Sequence, residues 1–210
     1  SVTKIGQYAF LNCTSLTEIT IPDNVTTIDQ GSFLGCTSLT KINIPNSVTG
    51  IGDYALGYCS SLETIDLDAR NHSFKLDDDA LLTIDGTQLI WCPANKNSYT
   101  ILDGVTEIGD YEFYTYTQLT EISIPDSVTA IGDYAFYDCT SLAKISIPDS
   151  VTTIGTCAFC GCSSLTEITI PSSVSSIYSY AFQDCTKLSS SLIVPNNYES
   201  DSFCELSNTL

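Results

Sequence analysis

The groups in this 210-residue chain that could do chemistry are ten cysteines, one histidine, and 25 carboxylates set against 7 Lys plus Arg. A Ser-His-Asp or Cys-His arrangement needs an imidazole as base, and His72 stands in a polar stretch with no cysteine beside it. A nucleophile, a base and oxyanion donors must occur together in a hydrolytic site, and no such set can be assembled from the sequence. Phosphate-cradling loops of the GxxxxGK[ST] or GxGxxG type do not occur. Acidic pairs are everywhere because acid is abundant, and nothing singles one out. The reading is non-enzymatic, with no catalytic residue and no cofactor assigned.

Metal ligation is the second chemistry these residue types allow. Cys157, Cys160 and Cys162 lie close together, but with no second C-x-x-C and no nearby histidine a zinc site is not expected. Asp66, Asp68, Asn71, Asp77, Asp78 and Asp79 carry the oxygen ligands that Ca²⁺ prefers. They miss the D-x-[DN]-x-[DN]-G pattern with its distal Glu, so they read as a solvated acidic loop. The formal charge of −18 repels phosphate backbones and anionic head groups, which excludes nucleic acid as a partner. No run approaches the roughly 20 apolar residues of a membrane-spanning helix, so no membrane insertion is expected. The chain lacks Met and begins inside a repeat, so it reads as a processed or excised piece.

The cysteine count alone suggests a disulfide framework, but a repeat changes that reading. Val2, Val25, Val48, Val105, Val128, Val151 and Val174 recur with gaps of 23, 23, 57, 23, 23 and 23. An Ile follows each Val by three residues. Next comes an aromatic column (Phe10, Phe33, Phe113, Phe136, Phe159, Phe182, with Leu56 once), then a Cys column (Cys13, Cys36, Cys59, Cys139, Cys162, Cys185, with Tyr116 once). Leu fills the next column without exception, and Ile-x-Ile-Pro generally closes the unit. The segment L-x-x-I-x-I ends in period-2 alternation, which predicts a short strand with Ile inward, stopped by Pro. V-x-x-I can form a second short strand. Apolar spacing at Ala9, Phe10, Cys13 and Leu16 suits a short helix or 3₁₀ turn on the opposite side. No single unit can bury these residues, so coils must stack. Stacked cysteines pointing into the coil are expected to be free, small buried hydrophobes. A row of Tyr8, Tyr54, Tyr111, Tyr134 and Tyr180, joined by Cys157, should cover the turns.

The phrase Ile131-Gly132-Asp133-Tyr134-Ala135-Phe136-Tyr137-Asp138-Cys139-Thr140-Ser141-Leu142, repeated in phase, resembles the BspA-like leucine-rich repeat family. The resemblance covers residues 1–195. It implies an α/β repeat: a right-handed leucine-rich repeat solenoid with a concave parallel β-sheet and short helical or 3₁₀ turns on the other side. It also implies a cell-surface or extracellular setting and adhesion to protein partners or other cells.

The 57-residue gap marks an irregular unit, residues 68–104, in which Asp85-Gly86 between apolar runs predicts a hairpin with a type I′ turn. Ile90-x-Cys92-Pro93 and Tyr99-x-Ile101 both mimic Ile-x-Ile-Pro; the first would turn Trp91 outward as Thr20 is turned. Residues 196–210 are polar and read as a C-terminal cap. Sequons at Asn12, Asn24 and Asn71 are candidate glycosylation acceptors.

What remains is surface. Residues flanking the inward Ile should form two rows on the concave face. The candidate binding residues are Glu18, Lys41, Asn43, Asp66, Trp91, Glu121, Lys144 and Glu167, with Trp91 as anchor if exposed. The expected role is non-catalytic binding of a protein or glycan. The alternative is structural, with coils associating end to end into filaments because the first coil has no cap.

Overall fold

The computed structural model describes residues 2–188, and the cap expected over residues 196–210 lies outside them. The chain divides into two compact units, Ser1–Ala94 and Asn95–Leu210. In the first, β1 (Lys4–Ile5), β3 (Thr27–Ile28) and β5 (Gly50–Ile51) form one parallel sheet, and β2 (Glu18–Ile19), β4 (Lys41–Ile44) and β6 (Thr64–Leu67) form another. The unit also holds an antiparallel sheet of β7 (Phe74–Asp77), β8 (Ala80–Thr83) and β9 (Leu89–Trp91). In the second unit, β10 (Ser98–Thr100), β12 (Glu121–Ser123), β14 (Lys144–Ser146) and β16 (Glu167–Thr169) pair in parallel. Alongside them run β11 (Glu107–Ile108), β13 (Ala130–Ile131), β15 (Thr153–Ile154) and β17 (Ser176–Ile177), also parallel.

Both strand columns of the repeat are therefore present. Ile42, Ile65, Ile122, Ile145 and Ile168 point inward and are buried, while Ile19, in the first coil, is half-buried. They belong to two sheets, one per unit, where the repeat alone suggests a single sheet. The core is the set of stacked columns: Val, Ile, Phe, Cys and Leu, nearly all fully buried. Phe113, Phe136, Phe159 and Phe182 stack with centroids 5.1–5.3 Å apart and planes within 4° of parallel. That spacing follows the strand spacing of about 4.8 Å.

The turn side corrects an expectation. Among the described residues there is no α- or 3₁₀-helix; the segment is a series of tight turns. In the first coil, Ala9, Leu11 and Cys13 donate their N–H groups to Gly6, Tyr8 and Phe10 within the coil. The alternate residues Tyr8, Phe10 and Asn12 donate to Gln30, Ser32 and Leu34 of the next coil. Half of the donors thus leave the coil, which no helix permits. The backbone reverses through positive φ at two rows, one containing Tyr8, Tyr54, Tyr111, Tyr134, Cys157 and Tyr180, the other Asn12, Tyr58, Thr115, Asp138 and Asp184. A left-handed residue every fourth position rules out helix despite the helical spacing of the apolar side chains.

Other repeat residues have equally local reasons. Pro22, Pro45, Pro125, Pro148 and Pro171 each accept a hydrogen bond from the Val three residues on, closing the turn that follows the strand. A Cβ at Gly155 would lie 2.5 Å from the carbonyl carbon of Gly132 and 2.6 Å from the Asp133 nitrogen, so the coils approach too closely for any side chain there. Asp110 and Asp133 each accept, at 2.7 Å, the backbone N–H of the matching residue one coil on, Asp133 and Thr156.

The irregular unit keeps the first two columns of the repeat: Asn71 stands in the Val column and Phe74 in the Ile column, both buried. Asn71 donates to the carbonyls of Pro45 and Val48 and accepts from the N–H groups of Ser73 and Phe74. Its amide is fully used, so a glycan on it would break the bonds to Pro45 and Val48. The hairpin β8–β9 turns through Asp85-Gly86 as expected, but by a longer loop in which only Gly86 has positive φ. The two-residue turn with positive φ at both positions is Asp78-Asp79, between β7 and β8. A bulge between Leu81 and Leu82 shifts the register, and Trp91 is 3% exposed in the core with Phe74 and Leu81. Trp91 is therefore not a surface anchor. Tyr99 pairs with Ile122, so the coil resumes at Tyr99-x-Ile101.

Gly155→Ala should destabilise the protein by about 1–3 kcal/mol, the usual range for forcing atoms into a packed site. Gly6→Ala, which meets nothing within 4 Å, should change stability by less than about 0.5 kcal/mol. Urea titration of both variants checks this; equal effects would refute the close-approach explanation.

Candidate functional site

On the outer face of the strands, register decides which side chains meet. In the first unit Glu18 is paired with Lys41 and Lys41 with Thr64, while Asn43 is paired with Asp66. Glu18, Ile19, Thr20, Lys41, Asn43 and Asp66 line a shallow depression of about 420 Å³. The Lys41 ammonium lies 3.5 Å from the Asp66 carboxylate, and both side chains are mostly exposed. Such a pair contributes about 0–1 kcal/mol. Asn43 accepts from the Ile21 N–H at 2.7 Å and donates to the Ile21 carbonyl at 3.0 Å. Its amide extends the ladder, so its part in the face is to hold the preceding coil.

In the second unit Ser98, Glu121, Lys144 and Glu167 form one row in register, and Thr100–Ser123 and Ser146–Thr169 are paired along a second. These strands line a shallow depression of about 480 Å³, to which Glu121, Ser123, Lys144, Ser146, Glu167 and Thr169 turn their side chains while Ile122, Ile145 and Ile168 between them face the core. Glu121, Lys144 and Glu167 thus converge on one open site of alternating charge. Of the sequence candidates, Glu18, Lys41, Asn43 and Asp66 meet on the first face and Glu121, Lys144 and Glu167 on the second; Trp91 meets neither.

The oxygen groups that could serve Ca²⁺ are dispersed. Asp66 is on the strand face, Asn71 is consumed inside the coil, and Asp77, Asp78 and Asp79 are exposed around a tight turn. Arg70 grips Asp68 through two hydrogen bonds, at 3.1 and 2.8 Å, and holds its carboxyl down to about 2. The column cysteines are free. Cys36, Cys59, Cys139, Cys162 and Cys185 each donate a thiol hydrogen bond, at 3.1–3.2 Å, to the aromatic-column carbonyl of the preceding coil. Burial pushes Cys59 and Cys139 up to about 12. Among the described residues, no helix is long and apolar enough to cross a membrane.

A model of the BspA type leucine rich repeat region matches residues 1–80 and 84–208 in six copies. The chain belongs to the BspA type leucine rich repeat family. No curated protein matches it. Among solved structures it is similar to a leucine rich cell surface protein of Faecalibacterium prausnitzii, at 28% identity and TM-score 0.70, over 89% of this chain and 62% of that one. A leucine-rich repeat protein of Eubacterium ventriosum matches at 25% identity and TM-score 0.65, over 89% of this chain and 68% of that one. The pneumococcal vaccine antigen PcpA matches at 24% identity and TM-score 0.65, over 80% and 55% of the respective chains, which shows the shared fold. This chain spans less than two thirds of the length of the first of these relatives.

One departure within this BspA-type repeat carries charge where the sequence columns drew no notice. Glu112 occupies the row that Ala9, Ala55, Ala135, Ala158 and Ala181 fill with a methyl group. The residue is half-buried, and the loss of water around its carboxyl raises it from the usual 4.5 to about 8. The folded state holds this proton more tightly than the unfolded one, so stability should fall as pH rises from about 4.5 to about 8. Glu112→Gln should flatten that part of the melting temperature–pH curve relative to the parent; identical curves would refute the burial. Alkylation of the native protein should label Cys13, the exposed member of its column, while Cys36, Cys59, Cys139, Cys162 and Cys185 react only on unfolding. Mass spectrometry reads both states, and native labelling of Cys139 would contradict the inward column.

Proposed function

We propose that this chain is a non-catalytic binding module of a cell-surface or extracellular protein, and that it takes a protein partner on the outer face of the strands. The observation that carries the reading is the in-register row Glu121, Lys144 and Glu167 along one open depression of the outer strand face. Charges of alternating sign across a sheet suit a partner segment with the opposite alternation, and such complementarity governs encounter rate and partner choice. The serine and threonine row beside it adds hydrogen-bonding groups of the kind repeat surfaces use for wide contacts. The family and the Faecalibacterium cell surface protein support the setting and the non-catalytic role.

The test is a binding screen of immobilised matrix proteins and a glycan array with the intact chain. Glu121→Lys with Glu167→Lys should weaken capture of the protein ligand at least tenfold and reverse its salt dependence, with an unchanged melting curve. Capture by glycans alone, or loss of binding on Tyr134→Ala but not on charge reversal, would refute the proposed face. Concentration-dependent oligomers that charge reversal abolishes would assign the face to self-association.

A further inference from the structure

On the turn side of the second unit, two rows of side chains run across the coils. Tyr111 and Tyr134 stack at 5.0 Å in one row, and Tyr114 and Tyr137 stack at 4.9 Å in the other. Within each coil the rows also touch: Tyr111 meets Tyr114 at 5.6 Å and Tyr134 meets Tyr137 at 5.7 Å. Side chains three residues apart therefore converge on the same side of the turn. One coil further on, these two positions are Cys157 and Cys160.

The turn brings the two cysteines within reach of each other. The Cys160 N–H donates to the Cys157 carbonyl at 3.1 Å, closing a four-residue turn. A turn of this type holds its first and last Cα atoms within about 7 Å, and a disulfide needs about 4.4–6.8 Å. Burial raises the Cys157 thiol, and the neighbouring Tyr134 and Cys160 side chains oppose part of that rise. This pair lies in the outer tyrosine rows; both residues are buried, but at 8% and 6% exposure they are less completely covered than Cys36, Cys139 and Cys162 at 0%.

We propose that Cys157 and Cys160 form a dithiol site that reacts with small disulfides and closes to a reversible disulfide within one turn. The Cys157 thiolate attacks one sulfur of the small disulfide, forming a mixed disulfide and releasing one thiolate. Cys160, losing its proton to solvent, then attacks the Cys157 sulfur and releases the second. The protein loses two electrons and two protons, and the small disulfide is reduced to two thiols. Cys157 is the attacking sulfur because it is the more exposed of the two and because Tyr134 and Cys160 oppose part of the rise that burial imposes on it, whereas burial and neighbouring charges push Cys160 up to about 12. With both thiols raised, the reaction should quicken by roughly tenfold per pH unit through the neutral range, following the thiolate fraction.

The experiment uses the intact, reduced chain with excess oxidised glutathione. After quenching by acid, the chain is denatured, blocked and cleaved after Phe159. The two fragments should stay joined until reductant is added. Cys160→Ser should halt at a glutathione adduct on Cys157, and Cys157→Ser should give no joined fragments. Cys160→Tyr, which restores the residue found at Tyr114 and Tyr137, should also stop at the Cys157 adduct, and its melting curve confirms that the fold persists. A bond from Cys160 to Cys162 or from Cys162 to Cys185, no adduct on Cys157 in either folded Cys160 variant, or a rate independent of pH would overturn the proposal.

Discussion

The backbone hydrogen bond from one coil to the next is the interaction on which the rest of this protein depends. It recurs in both strand columns, on the turn side, and at threonines such as Thr49 and Thr152, whose N–H groups donate to Thr26 and Thr129 one coil back. A buried backbone group left unpaired costs about as much as a lost hydrogen bond, so every coil must present acceptors where its neighbour presents donors. That requirement fixes the 23-residue length. One residue more or fewer would turn inward groups outward along the strand. The extra residues of the irregular unit are accommodated because β7, β8 and β9 supply an antiparallel ladder of their own.

Equal coil length turns every sequence column into a physical row, and a substitution in a row is answered by its neighbours. Gly31 interrupts the first tyrosine row, and the Tyr8 and Tyr54 hydroxyls meet across it at 3.1 Å. A side chain at Gly31 would collide with the Tyr8 ring. Tyr116 replaces a cysteine and packs edge-on to Phe113 at 5.5 Å. The pair Cys157 and Cys160 is the same kind of event, since two large rings give way to two small polarizable groups. The thiols interrupt the first row, which Tyr180 resumes one coil on, and end the second, where Gln183 follows.

The inward columns, the second strand column and the place of the hairpin were legible in the sequence because each rests on apolar periodicity or on a glycine-bearing turn. The turn side was misread for a definite reason. Ala9, Phe10, Cys13 and Leu16 have the spacing of a helix stripe, while the feature that forbids helix is positive φ at Tyr8 and Asn12, which apolar period does not record. Trp91 was misplaced because Ile90-x-Cys92-Pro93 copies the strand ending, whereas its pairing is antiparallel and bulged. The charged rows were readable one by one from the repeat. Asn43 was not, because its bonds to Ile21 depend on how deeply the side chain lies between two coils.

Alternating charge along a row has a structural explanation as well as the functional one proposed. Neighbouring strands stand about 4.8 Å apart, and like charges directly opposite one another are destabilising. Glu18 beside Lys41, and Glu121 beside Lys144 beside Glu167, avoid that cost. The size of the effect separates the two explanations. An exposed pair is worth about 0–1 kcal/mol, whereas a regular inner coil rests on residues such as Ile131, Phe136 and Leu142, fully buried, whose truncation costs about 2–5 kcal/mol apiece. Stability is therefore held by the core columns, and the face can change its charges with little effect on the fold. A surface that is chemically adjustable on an unchanging frame is what a repeat protein needs in order to alter its partners without altering its structure.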